Sequence, residues 1–219
     1  MKKKNKKMLV WGMSLLAMFV LWTVLLHFVD VRAIGPEDSS VGFATLNGFV
    51  HGFTDVNWLL YTVTDWLGLI PIAVALGFAV LGLVQLIKRK SLWKVDHSIL
   101  ALGVFYILVM MAYIFFEMVV VNYRPTLING YLEASYPSST TMLVMCVMPT
   151  AAMQLKMRIR NTIVRRCAII AIVAFTAFMV IGRLISGVHW ITDIIGGALL
   201  SAGLVMIYYS VSNIATKNR

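Results

Sequence analysis

The chain is expected to be an all-α, polytopic membrane bundle, on the strength of its composition, the length of its apolar runs and the placement of its charges. Of 219 residues, 60% are hydrophobic and 13% are charged. A soluble domain sets its apolar residues in short periodic stripes. Here they come in runs of about 20, the length that crosses a bilayer core of roughly 30 Å. A net charge of +10 would by itself fit a nucleic-acid binder, but its placement excludes that class. The five lysines of "MKKKNKK", then Lys88, Arg89, Lys90 and Lys94, then Lys156, Arg158, Arg160, Arg165 and Arg166, and finally Lys217 and Arg219 make sixteen of the nineteen basic residues. A six-span arrangement puts all sixteen on one side, which is then cytoplasmic and holds both termini. Only Arg32, Arg124 and Arg183 fall elsewhere.

Six spans are expected, at about 8–29, 66–87, 98–121, 138–155, 167–185 and 190–212. The first is too long for the apolar part of a signal peptide and lacks a small-residue cleavage site, so it stays a helix. Between the first two spans lies an outer segment, about 30–65. In it Phe43, Leu46, Val50, Phe53 and Leu60 recur at helical spacing, with Asn47, His51, Thr54 and Asp55 between them. With Trp58 and Trp66 this reads as an amphipathic helix at the outer headgroups, either a wall of a lipid entrance or a cap on the bundle. His51 reads as a solvated or headgroup-level side chain. Ala73 and Gly77, and Gly197 and Ser201, are small residues four apart and mark close helix packing. Cys146 and Cys167 fall at different depths and read as small core residues. The methionines fill gaps, and no His or Cys cluster accompanies them to bind a metal. With no repeat and no long loop, residues 1–219 form one membrane domain, and no cofactor is implied.

The chemistry is concentrated in "GRLISGVHWITD", residues 182–193. Ser186 and Gly187 break the apolar pattern, so the fifth span turns over there. His189 is expected in the first turn of the sixth helix, with Asp193 one turn deeper on the same face. A carboxylate so placed accepts Nδ1–H of the ring, fixing its tautomer and leaving Nε2 as a nucleophile. Arg183 supplies a planar cation that matches a phosphate. "NYRPTL" adds Arg124 at the outer end of the third span, and "YPSSTTM" adds Ser138 and Ser139 at the start of the fourth. A helix N-terminus there offers free amides to an anion. Each piece alone is ordinary; together, on one membrane face, they make a phosphate site.

At these residues the chain resembles the type 2 phosphatidic acid phosphatase family, the lipid phosphate phosphatases, over nearly its whole length. That family is known by three segments: Lys-x6-Arg-Pro, Pro-Ser-Gly-His and Ser-Arg-x5-His-x3-Asp. The third matches from Arg183 through His189 to Asp193, with Gly182 in place of its serine. The resemblance implies a metal-independent phosphatase in which His189 forms a phosphohistidine. It also implies that Arg124, Arg183, Ser138 and the Ser139 amide hold the phosphate oxygens. The expected substrate is a phosphatidic-acid-like lipid or a polyprenyl diphosphate, cleaved at the non-cytoplasmic face of the cell membrane with its tail among membrane lipids. Two positions depart from the family. Glu117 stands where the family has lysine, and Thr140 where it has the histidine that protonates the leaving group. Those departures keep an alternative open: a catalytically impaired relative that binds lipid phosphates or acts as a membrane partner protein.

Overall fold

The computed structural model describes residues 3–215. Lys2, Lys217 and Arg219, three of the charges assigned to the inside, lie outside the described residues. The elements run α1 (Lys3–Leu25), β1 (Arg32–Ala33), β2 (Ser40–Val41), α2 (Ala44–Thr54), α3 (Trp58–Leu67), α4 (Leu69–Arg89), α5 (His97–Met118), α6 (Ser139–Arg158), α7 (Thr162–Ile185) and α8 (Ile191–Ala215). The two short strands pair antiparallel, Arg32 opposite Val41. Helices dominate because the backbone of an apolar run satisfies all its hydrogen bonds internally only as a helix.

Among the described residues five stretches are long and apolar enough to cross a membrane: Lys4–Leu25, Trp58–Arg89, His97–Met118, Thr162–Ile185 and Ile191–Ser212. The chain is an all-α, multi-pass membrane bundle. The second stretch is longer than the expected 66–87 because α3 and α4 follow one another with only Gly68 between them. Pro71 sits in the first turn of α4, where its missing N–H costs no helical bond.

The helix expected at 138–155 is α6, 20 residues long and less apolar than the others. It runs through the middle of the bundle, against α4, α5, α7 and α8. Nine of its residues are buried, and polar ones among them find protein partners instead of lipid. Thr150 meets the Tyr106 hydroxyl at 3.1 Å, and Gln154 donates to the Tyr208 hydroxyl at 2.7 Å.

Helices α1 and α8 lie antiparallel, pinned by Ser210 donating to the Asn5 carbonyl at one end and Trp22 to the Thr192 carbonyl at the other. They cross where Gly12 faces Gly203; a Cβ on either would stand 3.0–3.1 Å from the other's carbonyl oxygen. The main core joins α1, α5, α6 and α8 through Phe19, Leu102, Phe105, Met142, Leu200 and Tyr208. Of the two expected packing faces, Gly197 and Ser201 are packed: Gly197 lies against Ser138 and Thr141, and Ser201 donates to the Met142 carbonyl. The Ala73–Gly77 pair is not a packing face. Both residues are exposed, and nothing stands within 4 Å of a Cβ built on Gly77. Small residues permit close approach but do not draw a neighbour. Cys146 is buried as expected, whereas Cys167 is exposed.

The outer segment is helical, and α2 turns apolar residues outward and a polar one inward. Asn47 is buried, donating to the Gly42 carbonyl at 2.8 Å and to Thr192 Oγ1 at 3.0 Å. Leu46, Phe49 and Phe53 are exposed. The helix also breaks at 55–57, so Leu60 belongs to α3 and not to the stripe on α2. His51 is half-buried and packs edge-on against the Trp190 ring at 5.4 Å.

The two ends of the bundle differ in chemistry. At one, Asp96 pairs with Arg89 at 3.0 Å and with Arg158 at 3.5 Å, tying two basic loops together. At the other meet α2, α3, the segment after α5, the start of α6 and the α7–α8 turn.

Candidate active site

Helix α5 ends at Met118, before the β-branched run Val119-Val120-Val121. Such residues crowd a helix but suit extended chain. Residues 122–135 then fold back on themselves, with Tyr123 bridged to Ala134 and Ile128 to Tyr131. The reversal uses positive φ at Asn129 and Gly130. Arg124 N–H donates to the Glu133 carbonyl at 3.1 Å, and Ser135 N–H to the Asn122 carbonyl at 2.9 Å. This places Arg124 and Ser135 side by side. Because α5 stops short of Arg124, Glu117 and Arg124 do not share one helical face.

The α7–α8 connection is a tight turn. Ser186 caps α7, its hydroxyl donating to the Arg183 carbonyl at 2.8 Å. Gly187 follows at φ 68°, packed so closely on the α2–α3 link that a Cβ would stand 1.7 Å from the Asp55 carbonyl oxygen. Asn57 N–H donates across this contact to the Ser186 carbonyl at 3.0 Å. His189 lies two residues before α8 begins, not in its first turn. Asp193 is in that first turn, and its Oδ2 accepts Trp190 N–H at 2.9 Å.

Four of the expected residues converge. Arg124 Nη1 stands 3.2 Å from His189 Nε2, and Arg183 Nη2 3.3 Å from the same atom. Asp193 lies behind the ring, but its Oδ2 is 3.8 Å from Nδ1, too far for a hydrogen bond. Ser135 stands between them. Its Oγ donates to Asp193 Oδ2 at 2.5 Å and lies 3.1 Å from His189 Nδ1. The expected direct pair fails because His189 precedes the helix, so the i+4 stacking of helical side chains does not apply. Asn122 Nδ2 completes the carboxylate's shell, 3.4 Å from Oδ1.

Both arginines are desolvated, at 8% exposure for Arg124 and 1% for Arg183. Their acidic neighbours are partly exposed: Glu133 at 3.1 Å from Arg124, and Asp65 at 3.6 Å from Arg183. Arg183 also reaches Thr64 Oγ1 at 3.5 Å and covers the Tyr61 ring at 5.0 Å. Its Nε is buried without a hydrogen-bond partner among the described residues. Two buried cations aimed at one point call for an anion between them. Burial first, then the charges of Arg124 and Arg183, push the His189 pKa well below the usual imidazole value, against an opposing backbone contribution from Ser135. The ring is therefore neutral at physiological pH, with a lone pair to offer.

Ser138 is fully buried as the N-cap of α6, its Oγ accepting Thr141 N–H at 3.4 Å while its own N–H donates to the Asp193 carbonyl at 3.1 Å. The bond from Thr141 uses one lone pair of the hydroxyl and leaves its O–H to donate. The next amides, of Ser139 and Thr140, are first-turn donors that a helix leaves free. Ser139 and Glu117 line one cleft with Tyr113, Ser135, Pro137 and Met142. Thr140 is half-buried beside it. The residues that sequence reasoning missed are Ser135, Asn122, Glu133 and the α3 trio Tyr61, Thr64 and Asp65. Asn122 opens the NYRPTL segment and Ser135 stands two residues before Pro137, but no spacing rule selects either.

The fold and the site together define a class: a helical, multi-pass membrane protein with a buried cationic site at one end. A family model described as the PAP2 superfamily matches residues 96–217, more than half of the chain, and the chain belongs to that superfamily. The fold is similar, at a TM-score of 0.61 and 20% sequence identity, to the crystal structure of a transmembrane PAP2-type phosphatidylglycerolphosphate phosphatase from Bacillus subtilis, with 95% of this chain and 98% of that one covered. A comparison with curated proteins returns no match.

Proposed function

We propose that the protein removes phosphate from a lipid phosphate at the non-cytoplasmic face of the cell membrane through a phosphohistidine on His189. The observation that carries this reading is the convergence of Arg124 and Arg183 on the Nε2 atom of a buried histidine. Nε2 attacks phosphorus and the lipid–oxygen bond to phosphorus breaks. A water then attacks the phosphohistidine and releases inorganic phosphate, returning the electron pair to Nε2. The two guanidiniums and the first-turn amides of α6 hold the non-bridging oxygens, where charge builds in the transition state. Asp193 favours the imidazolium character that develops in the ring. No step needs a metal ion or a cofactor. In this reading α6 is the fourth of six spans, both termini and the basic loops face the cytoplasm, and the whole chain is one membrane domain.

The substrate is a phosphatidic-acid-like lipid, a phosphatidylglycerolphosphate such as the structural neighbour's name specifies, or a polyprenyl diphosphate. The departure at Thr140 bears on this choice. An alkoxide leaving group needs a proton, and a threonine hydroxyl is far too weak an acid to supply it at neutral pH. A phosphate monoester leaving from a diphosphate is a stable anion and needs little help. The same departure supports the second reading, a relative that binds lipid phosphates without turning them over.

The test is phosphate release by purified protein in detergent from these three lipid classes, with His189→Ala beside it. Turnover that disappears in the variant and persists with chelator supports the phosphohistidine reading. Full activity in His189→Ala, or inhibition by chelator, rejects it. Binding without turnover of any of the three establishes the second reading.

A further inference from the structure

The chemical link between His189 and Asp193 passes through a third residue. Ser135 is 3% exposed, and its Oγ lies 2.5 Å from Asp193 Oδ2 and 3.1 Å from His189 Nδ1. A hydroxyl has one proton and two lone pairs. The short contact to the carboxylate, an acceptor only when ionised, takes the proton. Nδ1 must then be the donor in the other contact, so the ring carries its hydrogen on Nδ1 and keeps the lone pair on Nε2. That is the tautomer a nucleophile facing two arginines requires. The carboxylate cannot impose it directly across 3.8 Å.

Backbone contacts hold the hydroxyl in place. Ser135 N–H donates to the Asn122 carbonyl, and Arg124 N–H to the Glu133 carbonyl, in the same folded-back segment. Asn122 also reaches Asp193 Oδ1. One segment therefore positions the phosphate-facing Arg124 on one side of the ring and the tautomer-setting hydroxyl on the other.

We propose that Ser135 is a positioning residue, which transmits the Asp193 carboxylate to His189 as a carboxylate–hydroxyl–imidazole relay. The proposal rests on the reading of His189 as nucleophile, but its geometric part is testable without it. As the ring becomes phosphorylated and cationic, its Nδ1–H bond to Ser135 strengthens, polarised by the carboxylate behind it. The stabilisation is larger in the transition state than in the bound substrate, so it acts on kcat and not on KM.

Ser135→Ala removes the hydroxyl and keeps the backbone. Its kcat should fall about 10- to 100-fold, the usual worth of a hydrogen bond to a charged group, with KM changed less than about threefold. Ser135→Thr restores a hydroxyl and should recover most of the loss. The second readout is the ring itself, by 15N NMR of histidine-labelled protein with the His189 signal assigned through His189→Ala. The wild type should show a protonated Nδ1 and a free Nε2, and Ser135→Ala a mixture of tautomers. Wild-type kcat in Ser135→Ala, or ring nitrogens unchanged by the substitution, overturns the relay. Activity retained in His189→Ala overturns the nucleophile instead, and the nitrogen shifts still decide whether Ser135 sets the tautomer.

Discussion

Gly187→Ala should cost both stability and catalysis, and the structure sets the size of each. Gly187 has φ 68°, a conformation that costs a residue with a Cβ about 1–2 kcal/mol. The new Cβ would stand 1.7 Å from the Asp55 carbonyl oxygen, 2.6 Å from its carbon and 3.2 Å from Val56 Cα. These are backbone atoms and cannot swing aside. The link between α2 and α3 has to withdraw by roughly 1.5–2 Å to restore ordinary contact, which also breaks the Asn57–Ser186 hydrogen bond. Overpacking of this kind costs about 1–3 kcal/mol. The total of roughly 2–5 kcal/mol corresponds to a Tm lower by about 5–15 °C on the scale of domains this size. The turn also carries His189, and a displacement near 1 Å between reacting groups costs about 10²-fold in rate. Thermal unfolding in detergent and phosphate release below both melting points measure the two effects. Gly187→Asn separates the causes: asparagine tolerates positive φ but has the same Cβ, so it should recover no more than about 1 kcal/mol. A Gly187→Ala protein with Tm within about 2 °C of wild type and undiminished kcat would refute the reasoning.

Three further outcomes are expected. In substrate-free protein the His189 ring should titrate below the ordinary value of 6.5, since burial, Arg124 and Arg183 all oppose its proton; Arg183→Gln should move the midpoint upward, and a wild-type midpoint at or above 6.5 in an NMR titration contradicts the electrostatics. Glu117 lines the cleft beside Ser139 and is proposed as the replacement for the acid missing at Thr140, so Glu117→Gln should lower monoester cleavage about 10²-fold and leave diphosphate cleavage intact. Equal effects on both substrates, or none on either, remove Glu117 from proton transfer. Cysteines introduced at 130 and 160 should react with an impermeant thiol reagent from opposite sides of the membrane, and labelling of both from one side rejects the proposed orientation.

The long apolar stretches, the turn at Ser186–Gly187 and the close succession of Arg183, His189 and Asp193 were legible in the sequence because they depend on local properties. A run of about 20 apolar residues has one low-energy solution in a bilayer, and a break in such a run marks its end. Charge placement separates basic from non-basic loops by the same local reasoning. What the tertiary structure alone decided rests on contacts between distant segments. Ser135 meets His189 across 54 positions, Arg124 meets it across 65, and Thr64 meets Arg183 across 119. No periodicity links such pairs. The identity of the group between His189 and Asp193 turned on where α8 begins, because a histidine two residues outside the helix is not stacked on its i+4 neighbour. The inward polar face of α2 and the bare Gly77 have the same origin. Periodicity says that a helix has two unlike faces, or a small one, but the neighbours that cover a face are supplied by the rest of the chain.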